Sequence, residues 1–134
     1  MNKMKKILTY IALPVFLVIL TACGNSSDAL QGEWKAQTGA QENVVLKFDK
    51  DKVTVDGKEY DYKQKSVEKK GDITYYKIEQ NGENYTVIFP DKDKNIAVMI
   101  QPYSSKDDLN GTMLYAMNKK EQPNYSEYSK KYSQ

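Results

Sequence analysis

The side chains here that could do chemistry are few in kind. The 134 residues include one cysteine, Cys23, no histidine and no arginine, set against 11 tyrosines and 20 lysines. Without an imidazole there is no Ser-His-Asp triad, no histidine general base and no zinc site of the usual His or Cys kind. Without a guanidinium there is no planar fork to grip phosphate or carboxylate in bidentate fashion. Carboxylates, phenols, ammonium groups and one thiol remain. Paired acids still serve glycoside hydrolysis or oxygen-ligand metal sites, but here the acids fall in turns. The segment Asp91-Lys92-Asp93-Lys94-Asn95 alternates like the start of a calcium loop. Ile96 then stands where the sixth position needs Gly, and Pro102 where the twelfth needs Glu. The expectation is a protein that is not an enzyme and holds neither a metal nor a dissociable cofactor.

The thiol has a telling context. Met1 to Lys6 carries Lys3, Lys5 and Lys6 without an acid, and Ile7 to Leu20 is an almost unbroken apolar run. A spanning helix needs roughly 20 apolar residues, and the core of an export signal about 7–15. Pro14 also weakens a permanent span. Residues 1–22 therefore read as a signal peptide. Leu20-Thr21-Ala22-Cys23 resembles the lipobox of bacterial lipoproteins, an aliphatic residue and two small ones before an invariant cysteine. The resemblance implies cleavage between Ala22 and Cys23 and a covalent diacylglycerol on the Cys23 thiol. A lone cysteine forms no internal disulfide, and acylation caps a thiol that an oxidising compartment would otherwise attack. Two acyl chains, at about 0.8 kcal/mol per buried methylene, anchor far better than one. The expected place is the extracytoplasmic face of a cell membrane, with the membrane itself as partner. The Lys/Asn-rich, disulfide-free make-up points to a Gram-positive bacterium.

Removing the three leading lysines changes the net charge from +2 to −1. Acid and base then alternate without long blocks, which is no footprint for nucleic acid. Residues 23–30, polar and small, read as a lipidated tether. The remaining chain is long enough for one small domain with one core.

Residues 31–118 read as consecutive short strands: Glu33 to Gln37, Asn43 to Asp49, Val53 to Val55, Lys58 to Lys65, Gly71 to Gln80, Glu83 to Phe89, Asn95 to Gln101 and Gly111 to Asn118. Asp56-Gly57 and Asn81-Gly82 are hairpin turn pairs of the type I′ kind. Their register opposes Val53 to Tyr60, Ile78 to Tyr85 and Tyr76 to Val87. Alternation puts Val44, Leu46 and Phe48 on one face. In the last strand it separates Thr112, Leu114 and Ala116 from Met113, Tyr115 and Met117. Pro102 to Asn110 reads as a polar loop. About eight antiparallel strands in up-and-down order leave unpaired edges unless they close, so the expectation is an all-β meander barrel. In residues 119–134, Tyr125, Tyr128 and Tyr132 have helical spacing after Pro123. A short helix and a polar Tyr/Lys/Ser-rich tail both fit.

Gly32-Glu33-Trp34 resembles the Gly-x-Trp of lipocalins and related calycin barrels. There the motif opens the first strand and the Trp plugs the closed end, often against an Arg near the last strand. This chain has no Arg, so Lys119 or Lys120 takes that place. The resemblance implies a barrel interior wide enough for side chains or one small ligand. Tyr60, Tyr62, Tyr76 and Tyr85, with Trp34, are the candidate ligand-binding residues, since Tyr offers apolar area with one polar handle. The other reading of the same tyrosines is strand propensity and core filling. Two functions are consistent with this. The first is a lipocalin-like lipoprotein that binds a small apolar or amphipathic ligand. The second is an envelope protein-interaction module of the immunity or inhibitor type, with a filled core and no pocket.

Overall fold

The computed structural model describes residues 29–132. The signal peptide and the Ala22–Cys23 cleavage and lipid-attachment site lie outside the described residues. Nine strands form a single antiparallel sheet: β1 (Gly32–Thr38), β2 (Asn43–Phe48), β3 (Lys52–Val55), β4 (Lys58–Asp61), β5 (Lys63–Lys70), β6 (Ile73–Gln80), β7 (Glu83–Phe89), β8 (Ile96–Ser104) and β9 (Asp107–Asn118). One helix, α1 (Tyr125–Tyr132), comes after them. Among the described residues no helix is long and apolar enough to cross a membrane.

Spatial order runs β4-β3-β2-β1-β9-β8-β7-β6-β5, so neighbours in sequence are neighbours in space except where the first strand pairs with the last. That pairing sets Ala36 against Met117 and Thr38 against Tyr115. The sheet is not closed by hydrogen bonds, which corrects the expectation of a closed barrel of about eight strands: β4 and β5 are its two edges. The edges are related all the same. Alternating strand direction across nine strands makes β4 and β5 run the same way, and only Tyr62 separates them in sequence. They are two halves of one long stretch, passing from one edge of the sheet to the other.

The sheet must therefore curl, and the core shows that it does. Trp34 on β1 and Phe89 on β7 have ring centroids 5.8 Å apart. Three strand spacings in a flat sheet would separate them by about 14 Å. Trp34, Phe48, Tyr76, Val87, Phe89 and Met117 fill the concave side. Both tight turns have the expected register and positive φ at both central residues: 48° and 87° at Asp56-Gly57, 53° and 80° at Asn81-Gly82. Val44, Leu46 and Phe48 share the core face as alternation requires.

Three local expectations are corrected. The strand begun at Lys58 breaks at Tyr62 and resumes to Lys70 rather than ending at Lys65. Pro102 to Asn110 is mostly strand, because β8 and β9 extend to a tight turn at Ser105-Lys106. Gly111 permits that extension. A Cβ there would collide with the Gln101 carbonyl oxygen and lie 2.7 Å from Pro102 Cα, so only glycine lets the backbones approach this closely. Finally, a register shift between Met113 and Tyr115 interrupts alternation in β9. Met113 joins Val98, Ile100 and Ala116 on the convex face, while Leu114, Tyr115 and Met117 pack towards the concave core.

The end of the chain is helical and docked. Tyr125, Tyr128 and Tyr132 cover the convex cluster on β8 and β9. Asn124 caps the helix, its side-chain oxygen accepting from the Glu127 amide at 2.9 Å.

Candidate functional site

The described chain enters at one end of the sheet, where Leu30 is buried. Trp34 Nε1 donates to the Leu30 carbonyl at 2.8 Å. Lys119 Nζ donates to the Gln31 carbonyl at 3.0 Å and stands 4.9 Å from the centroid of the Trp34 ring. Of the two candidate lysines, Lys119 is the one over the indole, as a point charge on its face rather than a flat stack. Trp34 is thus structural, with no exposed surface to offer a ligand.

The concave side is not completely filled. An apolar cavity of about 130 Å³ remains, lined by Phe48, Val55, Tyr62, Tyr85, Met99 and Tyr115 among others. On β6 and β7 it takes in Ile78, Gln80 and Tyr85, beside the Asn81-Gly82 turn. Trp34 instead packs on Phe89, at the other end of β7. An open groove adjoins the cavity, with Tyr60, Asp61, Asn81 and Glu83 in its walls, and shares Gln80 and Tyr85 with it.

The structure divides the five candidate residues. Tyr62 and Tyr85 line the cavity. Tyr60 lines the outer groove and is 38% exposed. Tyr76 is buried, with its ring 5.5 Å from Phe89, and Trp34 is equally buried. Neither of these last two touches the cavity. Tyr115 also belongs to the site: alternation puts it on one face with Met117, as observed, but does not say that this face lines the cavity. Burial, then the nearby Tyr60, Asp56 and Tyr85, pushes the Tyr115 phenol above its ordinary range. Three tyrosines, Tyr62, Tyr85 and Tyr115, thus line the cavity.

Tyr62 fixes one wall. Its hydroxyl donates to the Asp49 carbonyl at 2.5 Å and its ring meets Phe48 edge-on at 5.6 Å. Burial, reinforced by Asp49 and Asp51, pushes the phenol up from 10.0 to about 12. The folded state then holds this proton more tightly than the unfolded chain does. The group leaves stability unchanged below about pH 10 and removes about 2 kcal/mol as pH rises from 10 towards 12. Urea midpoints measured across that range should fall in the native protein. Tyr62→Phe should start about 1 kcal/mol lower, for the lost hydrogen bond, and decline less steeply. Equal slopes in the two proteins would rule out this assignment.

Two of the turn carboxylates bind backbone. Asp91 and Asp93 accept from backbone amides two residues on, at 2.9 Å each, which is how the failed calcium loop uses its acids. Among the described residues no group of three or more acids is placed to hold a metal ion. No family model, curated protein or solved structure matches this chain.

Proposed function

We propose that this chain is a lipid-anchored lipoprotein of the extracytoplasmic membrane face, whose lipocalin-like curled sheet takes up the apolar end of a small amphipathic ligand. The observation that carries the reading is the apolar cavity continuing into a polar groove, with Tyr85 and Gln80 shared between them. Size limits the guest. An apolar cavity of about 150 Å³ accepts benzene, so about 130 Å³ suits one ring or a short alkyl end. The polar remainder of the ligand would lie in the groove, whose lining has Asp61 (paired with Lys52) and Glu83 but no lysine, which disfavours an anionic group.

The barrel comparison is supported by Gly32-x-Trp34 at the start of β1, by Lys119 over the indole, and by the way β4 continues into β5. The anchor rests on Leu20-Thr21-Ala22-Cys23, with diacylglycerol on Cys23 as the only attached group. Since the described chain enters beside Trp34, the membrane would lie towards that end and the cavity away from it. The chemistry left to this composition supports a binding protein that is not an enzyme and has no nucleic-acid partner.

One observation favours the second reading, an envelope protein-interaction module. Ligand pockets usually run to about 300–1,000 Å³, and large side chains fill most of this interior. Native mass spectrometry of residues 24–134, expressed without the leader, separates the two. A reproducible added mass that disappears on denaturation supports the carrier. A clean apo mass, with no thermal shift against small amphiphiles, overturns it in favour of the filled-core reading.

A further inference from the structure

The sheet carries a second pocket, polar and about 300 Å³ in volume, with Lys65, Lys77, Thr86, Gln101, Tyr103 and Asp108 in its walls. Thr86 on β7 is among its lining residues, paired across to Lys77 of β6 and Ile100 of β8. The residue is 1% exposed, and its hydroxyl has no hydrogen-bond partner among the described residues. An unpaired buried hydroxyl lowers stability, and native structures keep few of them. Thr86 is among the residues that line the pocket, so a group that enters it is the nearest source of the missing partner.

The walls say what that is. Lys77 Nζ lies 3.2 Å from Asp108 and 3.9 Å from Glu68, and Lys65 Nζ lies 3.5 Å from Glu79. Gln101 Nε2 donates to Glu83 at 3.1 Å. These pairings hold long side chains in place, and two lysines against Glu83 and Asp108 leave the lining without net charge. An anion would meet as much repulsion as attraction. At the rim stands Tyr103, 78% exposed, with a flat ring that no core contact explains. An aromatic face beside a dense set of donors and acceptors with no net charge matches a ring whose C–H groups lie on one side and whose hydroxyls point outward. The volume is at the lower end for a small-molecule site, which suits one or two such rings.

We propose that this pocket binds a neutral saccharide, stacked on Tyr103 and hydrogen-bonded to Thr86, Gln101 and the Lys77–Asp108 pair. The pocket neighbours the concave cavity, sharing Ile78 and Tyr85 with its lining, but Tyr103, Thr86, Gln101, Lys77 and Asp108 belong to this pocket and not to the cavity.

The test is saturation-transfer difference NMR on the full chain in a detergent without a sugar headgroup. The probes are maltose, cellobiose and N,N′-diacetylchitobiose, with inorganic phosphate as competitor. At least one disaccharide should give a signal that phosphate leaves intact. Tyr103→Ala, at an exposed position, should reduce the signal at least fivefold without changing the melting temperature. Thr86→Val should reduce it similarly while raising the melting temperature by a few degrees, because the unpaired hydroxyl is gone. Silence from all three sugars, displacement by phosphate, or undiminished signal in both variants overturns the proposal.

Discussion

Trp34→Ala should be among the most damaging single substitutions in this protein. The side chain is fully buried, packs edge-on to Phe89, donates to the Leu30 carbonyl and carries Lys119 on its face. Truncating a buried Trp costs about 3–5 kcal/mol, in a class of domains whose net stability is about 5–15 kcal/mol. At about 4–8 °C per kcal/mol for a domain of this size, the melting temperature should drop by roughly 15 °C or more. The loss exceeds that from area alone because Trp34 joins parts of the sheet that hydrogen bonds do not. β1 and β7 are held face to face by rings, not by a ladder. Trp34→Phe keeps most of that contact and should cost about 1–2 kcal/mol, largely through the indole N–H. Guanidinium denaturation followed by circular dichroism measures both. A loss below about 1 kcal/mol for the alanine variant would mean that the curl does not depend on this contact.

How much of this was legible depends on which signals are local. Strand positions and both type I′ hairpins could be read because turn chemistry and alternation act within a few residues, as at Asn81-Gly82 with Ile78 opposite Tyr85. Closure was not legible. Whether β4 and β5 pair depends on tilt and stagger summed over nine strands, and no residue encodes that sum. The faces of β9 were only partly legible for a related reason, since one extra residue near Leu114 sends Met113 to the convex side and brings Leu114 in beside Tyr115 and Met117, where alternation takes each face as constant. Tyr60 was overestimated, because its strand lies at an edge where an inward face opens onto solvent. The apolar cavity itself is a packing remainder, visible only once side chains are placed.

Deleting residues 122–134 should rival the Trp34 substitution. An eight-residue helix is unstable alone in water, so α1 exists because the sheet holds it. The contacts run both ways. The Tyr125 hydroxyl donates to the Met113 carbonyl at 2.6 Å, at the register shift of β9. Gln37 Oε1 accepts from the Tyr125 amide at 2.7 Å, and Gln122 Nε2 donates to the Ala36 carbonyl at 2.9 Å. Removing them uncovers Val98, Ile100 and Met113 and forfeits the burial of three tyrosines. Partial burial of those rings and the lost hydrogen bonds together amount to about 3–4 kcal/mol. The truncated chain should unfold at clearly lower guanidinium concentration and bind a hydrophobic dye that the full chain ignores. Tyr125→Phe should show only the hydrogen-bond part, about 1 kcal/mol. If truncation left the midpoint unchanged, the convex cluster would be stable in water without its cover. The strongly apolar β8 argues otherwise: Ala97 and Met99 face the core and Val98 and Ile100 face the helix, so both sides of that strand need to be dry.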